Sequence, residues 1–471
     1  MAERKCKQRH RDFGALFRNQ YVLSLDHDRT YAGWSKVRIG GWTLHHGAAL
    51  RILPVVDALG DVVGYILGYA QNLGGKVVKE RFSVSLDQAH SDFERELSRS
   101  MAQLAGRYLV VIVTGSISRV YGDPVLDLPV LIDARSRKVA SSLGLILDRP
   151  IQPDTDFRAR LILSGQENLS LQRTLDVDVR RAVSNHYLDL ASFTFHRYWL
   201  DAPLNDPNGD PDLDQVSRDI AERLSQNVAG WINEFTCSLP VTGGRDSRII
   251  LAAALPVADK VNEFPCHRFH NPSRKDAKAA KQILKSVNLT LKQHFKKASE
   301  PTTLRDMRLK MGWSGFRGEL AALSMIKDYP KDNLILRGNI LELMRANQWR
   351  TDNTEKPFNY THAIRRLGIS ASKGAAVSTR QWQRDYDAWL DGLPESARAN
   401  AYDIAWLEHS LPNYQGAYIN GFEHMTMLNP FNDRYLISKT LSIPPKTRKQ
   451  GKLVQAVLKH LYSPFLEFPF S

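Results

Sequence analysis

The stretch from Phe235 to Leu255 constrains this chain more than any other. An apolar run (FTCSLPVT) enters a tandem-glycine turn at Gly243 and Gly244, and an apolar helix (RIILAAAL) follows. Tandem glycines allow a sharp turn and bring backbone N–H groups close to an oxyanion. Thr242 and Ser247 add hydroxyl donors, and the positive end of the following helix favours a phosphate or pyrophosphate. Asp246 is placed to hold a magnesium ion beside such phosphates. The turn has neither the GK[ST] of a Walker A loop nor the spacing of GxGxxG. On pattern alone, a plain strand-to-helix turn accounts for it as well as a phosphate site does. Arg245 and Arg248 flank Asp246 and either neutralise phosphate or pair with carboxylates.

The surroundings of the turn alternate. A short strand near 261–265 precedes a helix over 274–287, which predicts a parallel α/β sheet, and the remainder reads as mainly helical. The region before it reads differently. Tyr108 to Val113, Leu128 to Ile132 and Lys138 to Ile146 are short apolar runs. Turn signals at Gly122-Asp123-Pro124 and Asp133 to Ser136 separate them, as in a layered antiparallel sheet. The spacing predicts a helix over Leu86 to Leu104, with Phe93, Leu97, Met101 and Leu104 on one side. Residues 201–214 (DAPLNDPNGDPDLD) favour neither helix nor strand and place a domain junction near 200–212. A helix over 213–232 follows, with Val216, Ile220, Leu224, Val228 and Ile232 forming one stripe and Asp212 or Asp214 as its cap.

Composition narrows the class. With 471 residues, 43% apolar and 24% charged, the chain has material for two or three domains and is not mostly disordered. Lys and Arg exceed Asp and Glu by 64 − 50 = 14, which points to an anionic partner. The excess concentrates at 274–310 (11 − 3 = 8) and at 439–460 (six bases, no acid). Cys6, Cys237 and Cys266 form no CxxC pair, so neither a disulfide framework nor a cysteine metal site is expected, and the implied compartment is reducing and cytoplasmic. No apolar run approaches the ~20 residues of a membrane span. The N-terminal segment MAERKCKQRHRDFG lacks an apolar core for a secretory signal and reads as a solvated basic tail over 1–20.

Thr242 to Ser247 (TGGRDS) resembles the SGGxDS pyrophosphate loop of the ATP pyrophosphatase group, and the wider chain resembles the asparagine synthetase family. Phe269-His270, Asp276, Ala277 and Ala280 are similar to that family's segment around the adenosine. Leu334 to Arg345 (LILRGNILELMR) is similar to its second loop, and Asn429 to Leu436 (NPFNDRYL) to its PF-D-R-L segment. Ile443-Pro-Pro-Lys446, followed by Gly451-Lys452-Leu453, resembles the approach to a lysine that contacts the activated intermediate. In the first half, Gly106 to Ile112, Arg119 to Pro124, Val139 to Ser142, Ser184 to Leu190 and Arg197 to Trp199 resemble the glutaminase domain. The resemblance implies an α/β plus α+β chain. A degenerate N-terminal-nucleophile αββα sandwich over 21–205 would precede an ATP pyrophosphatase (adenine nucleotide alpha hydrolase-like) domain over 206–471, with a helical C-terminal part.

The resemblance also implies chemistry. ATP would adenylate a carboxylate, pyrophosphate would leave, and an amine would then displace AMP, with magnesium as cofactor. Thr242, Gly243, Gly244, Asp246, Ser247 and Arg248 would bind the nucleotide, and Asp246 the metal. Lys452 would stabilise the adenylate, and Glu342 would orient or deprotonate the amine. Position 2 is alanine where a glutaminase needs an N-terminal cysteine, which implies that nitrogen does not come from glutamine. In the second loop Ile340 and Leu341 replace small and acidic residues, and Asn339 stands near a second acidic position. The expected substrates are a small-molecule or peptide carboxylate and amine. A catalytically inactive nucleotide-binding or scaffold protein of the same fold is the alternative. Nucleic acid is not favoured as a partner: Trp313, Phe316 and Arg317 are a thin basis for base stacking.

Overall fold

Along the strand Ala105–Val113, Tyr108, Val110 and Ile112 face one side and Leu109 and Val111 the other, and both sides are buried. A strand without polar alternation is one covered on both faces. The computed structural model describes residues 1–470, except 154–168, 201–210, 269–270, 296–300, 314–328, 351–353, 355–357, 368–375 and 423. Within it, that strand belongs to a seven-stranded sheet lying over a six-stranded one. Leu109, Val111, Leu67 and Val120 of the first sheet meet Tyr21, Leu23, Leu44 and Ile132 of the second in one shared core. Phe93, Leu97 and Met101 of the helix Phe93–Ala102 cover the outer face of the seven-stranded sheet. The outer face of the other is covered by short helices at Ala2–Gln8, Phe13–Leu16 and Leu143–Ile146. The first half is therefore layered helix, sheet, sheet, helix.

Two expectations change here. The run Lys138 to Ile146 is a strand only at Lys138–Ala140 and then turns into a helix, and Leu128 to Ile132 pairs only at Leu131–Asp133. Residues 1–20 are not a solvated tail. Ala2, Cys6, Phe13, Leu16 and Phe17 are buried, because the apolar residues among the bases recur at helical spacing and face the outer sheet. Three of the bases are paired across the molecule, Arg9 and Arg11 with Asp306 and Arg18 with Asp332.

The second half opens with the helix Leu213–Glu234, capped by Asp212, which accepts from the backbone N–H groups of Asp214 and Gln215. Val216, Ile220, Leu224, Val228 and Ile232 are all buried, as the four-residue spacing predicts. The expected junction falls largely on 201–210, outside the described residues. Cys237–Ser238 then pairs in parallel with Asn333–Leu336, which pairs in parallel with Met425–Leu428. Phe264–Arg268 pairs in parallel with Leu291–Phe295. Hydrogen bonds from Leu239 N–H to Glu263 O (3.0 Å) and from Val241 N–H to Pro265 O (2.9 Å) join the two groups. In chain order the strands lie 3-2-1-4-5 across one parallel arrangement. The strands Leu291–Phe295 and Met425–Leu428 fall in the part read as helical; the first is an edge with Lys292 and Gln293 exposed, and the second is only four residues long.

The two halves are joined by buried polar contacts. Asn432 donates to Gly106 O (2.6 Å) and to Asp123 (2.9 Å). Arg434 donates to Asn185 Oδ1 (3.0 Å), Tyr108 Oη (3.0 Å) and Gly122 O (2.9 Å). Asp433 between them pairs with Arg223 at 2.7 Å and caps the helix Arg434–Ser442 by accepting from Tyr435 N–H. No helix among the described residues is long and apolar enough to cross a membrane.

Asp433→Ala strips the partner from buried Arg223 and removes a helix cap. We expect a loss of about 3–5 kcal/mol, read as a lower urea midpoint; an unchanged midpoint would contradict the account.

Candidate functional site

The strand order fixes where a ligand would sit. It reverses between Cys237–Ser238 and Asn333–Leu336, and open parallel sheets form their crevice outside the carboxyl ends of the strands at such a point. The tandem-glycine loop leaves the first of these strands, and the segment Arg337 to Arg345 leaves the second. The loops touch. A Cβ at Gly338 would lie 3.1 Å from the Asp246 carbonyl oxygen and 3.0 Å from Leu341 Cδ1, so a side chain there would crowd the first loop. A third loop joins them: Asn339 N–H donates to Asn429 Oδ1 (3.1 Å), just beyond Met425–Leu428.

Thr242 and Ser247 close the first loop on itself. Their hydroxyls are 2.9 Å apart, Thr242 N–H donates to Ser247 Oγ (3.0 Å), and Gly244 N–H donates to Thr242 Oγ1 (3.1 Å). These hydroxyls thus shape the turn. The helix Arg245–Ala254 begins at Gly244 with no side-chain cap, so its first-turn N–H groups have no intrahelical acceptor. An anion at this terminus would satisfy them.

Asp246 and Glu342 converge at the crevice. Asp246 Oδ2 accepts from Arg345 Nη2 at 2.6 Å, while its Oδ1 is buried without a hydrogen-bond partner. Burial raises the Asp246 pKa, against the pull of Arg345 and Arg245. Burial and the Asp246 charge raise that of Glu342, against Arg345, Asn347 and Arg366. A half-buried cation therefore pairs with Asp246 and also lowers the cost of the charge on Glu342. Arg345 lies within the quoted second-loop motif, but sequence reasoning gave it no role; the signal was a base three residues after Glu342.

Arg248 is placed elsewhere. Its guanidinium is fully buried and donates to Phe465 O, Phe468 O, Pro469 O and Gly243 O at 2.7–3.1 Å. It fastens the loop to the segment 465–469 and leaves Arg245, stacked on Phe470, as the loop's more accessible base. Lys452 is exposed in the first turn of the helix Lys452–Tyr462. The lysine held against the second loop is Lys449, which donates to Trp349 O (2.7 Å) and whose pKa is lowered by burial, Arg366 and Arg345. Arg448 donates to Leu343 O (2.7 Å) and pairs with buried Asp403, and Lys439 pairs with Asp219. Much of the basic cluster at 439–460 thus holds the site's frame. Ala277 and Ala280 are core residues of the helix Asn271–Ser286, and Asp276 is half-buried on it. Phe269, His270, Phe316 and Arg317 lie outside the described residues. Cys6 is buried, and burial pushes its thiol up to about 11, far from a reactive thiolate.

The unpartnered Asp246 Oδ1 and the nearby Glu342 fit the one or two carboxylates that magnesium takes alongside phosphate oxygens. Among the described residues no cluster of three or more His, Cys, Asp or Glu could hold a metal. No protein-family model and no curated protein matches this chain.

A carboxyl whose pKa is raised in the folded state binds protons that the unfolded chain does not, so its contribution to stability falls as pH rises past the ordinary carboxylate range of about 4. Asp246→Asn removes that penalty. The variant is expected to melt higher than the parent at pH 7 without nucleotide, with the gap narrowing toward pH 4; a lower melting point at pH 7 would contradict it.

Proposed function

We propose that this chain is an ATP-dependent, AMP-forming carbon–nitrogen ligase of the asparagine synthetase type, without glutaminase activity. The observation that carries the reading is the position of the tandem-glycine loop. It stands at the reversal point of a 3-2-1-4-5 parallel sheet, where Asp246 Oδ1 has no hydrogen-bond partner and the second loop's Glu342 lies within reach of its charge. The helix, sheet, sheet, helix layering of the first half is what an N-terminal-nucleophile-type domain would give, and it supports the same reading.

In this proposal a carboxylate oxygen of the acid attacks the α-phosphorus of ATP, and the bond to pyrophosphate breaks. The nitrogen of the amine then attacks the acyl carbon, AMP leaves, and the amine proton passes to a base. Magnesium, when bound, neutralises phosphate charge. The first-turn N–H groups of Arg245, Asp246 and Ser247, with the backbone at Gly243 and Gly244, hold the pyrophosphate oxygens. Asp246 offers Oδ1 to the cation while Arg345 steadies Oδ2. Glu342, its pKa raised, is suited to receive the amine proton. Lys452 stabilises charge on the adenylate and on the tetrahedral intermediate, and Lys449 positions the second loop.

The test is exchange of labelled pyrophosphate into ATP with a panel of candidate acids. Exchange is expected with at least one acid, and Asp246→Ala or Lys452→Ala should lower it by about 10²–10³-fold. Arg248→Lys should act through stability rather than exchange. ATP binding without exchange for any acid would favour the inactive scaffold.

A further inference from the structure

A second site lies where the two halves meet, away from the glycine loop. A cavity of about 440 Å³ is lined by Arg173, Arg180, His186 and Arg197 from the first half and by Trp389 and His409 from the second, among others. Its volume lies within the range of small-molecule pockets, roughly 300–1,000 Å³. Its charge can be counted from the contacts. Arg173 binds Asp385 through Nε (2.9 Å) and Nη2 (2.7 Å). Arg197 binds Glu408 through Nη1 (2.7 Å) and Nη2 (2.9 Å), and Trp389 Nε1 donates to the same carboxylate (2.7 Å). Both of those arginines are neutralised. Arg180 has no carboxylate partner among the described residues, and its Nη1 is buried without a hydrogen bond.

His409 makes the second, independent observation. It is 3% exposed, lines the cavity, and neither ring nitrogen has a hydrogen-bond partner. Burial lowers its pKa to about 3, so the ring is neutral and presents one donor and one acceptor. Native proteins rarely leave such a group unsatisfied, and an exception asks for an explanation. His409 lies in the first of two consecutive π-helical turns, Trp406–Ser410 and Pro412–Gly416, a geometry that is rare and often found at functional sites. The walls at Trp389 and Phe195 are aromatic.

We propose that this cavity binds a small aromatic organic acid, with Arg180 taking its carboxylate and His409 hydrogen-bonding a polar substituent. One uncompensated cation suits one negative charge. The carboxylates of Asp385 and Glu408, already held by Arg173 and Arg197, disfavour a dianion such as phosphate. The ring of the acid lies against Trp389 and Phe195. This site is independent of the nucleotide reading.

The test is thermal shift and titration calorimetry on the full chain with benzoate, 4-hydroxybenzoate and phenylacetate, and with inorganic phosphate in a separate arm. Saturable stabilisation by at least one carboxylate is expected, with 4-hydroxybenzoate tighter than benzoate. Arg180→Gln should weaken it at least tenfold, whereas Arg180→Lys should retain part of it. Ala388→Trp, at an exposed position on the rim, should block binding without touching any charge. His409→Phe should erase the preference for the hydroxyl, and Asp246→Asn should leave binding unchanged. No saturable response to any of the three acids would overturn the proposal. So would a response indifferent to Arg180 and to Ala388→Trp, or Arg180-dependent binding of phosphate alone.

Discussion

The pairing of Asp433 with Arg223 is the contact on which the site's framework depends. It lies inside a segment that does three things within six residues. Asn429 receives the second loop's backbone N–H, Asn432 reaches the strand Ala105–Val113 through Gly106, and Arg434 reaches Tyr108, Gly122 and Asn185. The segment therefore ties the crevice of the parallel sheet to the layered first half. Each of these groups is buried, and a buried polar group left without a partner costs about 1–3 kcal/mol, more when charged. Such a seam tolerates little sliding, because any shift would break several bonds at once. Asp127 belongs to the same seam: burial and the adjacent Asp123 push its carboxyl upward, and Gln415 donates to it across the join.

Much of this was legible in the residues. The stripe Val216, Ile220, Leu224, Val228, Ile232 repeats at helical spacing, and the helix runs where that spacing puts it. The turn Asp133 to Ser136 is closed by the Asp133 carboxylate accepting from the backbone of Arg135, as a turn-former should. What failed did so for stated reasons. The edge strand Leu291–Phe295 has one buried residue in five, so its pattern resembles an exposed segment. The first twenty residues are dominated by bases, and net charge conceals five apolar side chains that recur at helical spacing. In the glycine loop the fold adds contacts that the local sequence does not show. The hydroxyls of Thr242 and Ser247 suggest phosphate donors in sequence, yet in the fold they bond to each other and to the turn's backbone. Arg248 looks like a phosphate ligand until the distant segment 465–469 supplies its carbonyls. No local window contains that information.

The net charge changes meaning with these contacts. A basic excess of 14 suggests an anion, and the cluster at 439–460 suggests where it binds. Yet Lys439, Arg448 and Lys449 are engaged by Asp219, Asp403 and the Trp349 carbonyl: the first ties its helix to Leu213–Glu234, and the other two hold the C-terminal helices against the second loop. Among the described residues, Arg345, Lys452 and Arg180 differ from these. Arg345 is paired with Asp246, Lys452 is exposed, and Arg180 has a buried Nη1 without a partner.

Arg345 is the most informative of the three. Burial and the Asp246 charge both raise the Glu342 pKa, so keeping the two carboxylates ionised together calls for cations beside them. A guanidinium three residues after Glu342 supplies one from within the same loop, and the bond at Oδ2 leaves Oδ1 free. An ion that arrived with phosphate could take Oδ1 without displacing the arginine. It would then add its charge to a site whose carboxylates already carry one cation between them. An arginine in this place therefore sets the balance of the crevice: it lowers the cost of keeping Asp246 and Glu342 ionised, and it weakens their hold on a metal that comes alone. In the proposed reaction, a metal entering with its own phosphate anions would restore the balance, because the phosphates would bring negative charge to Arg345 and the first-turn N–H groups.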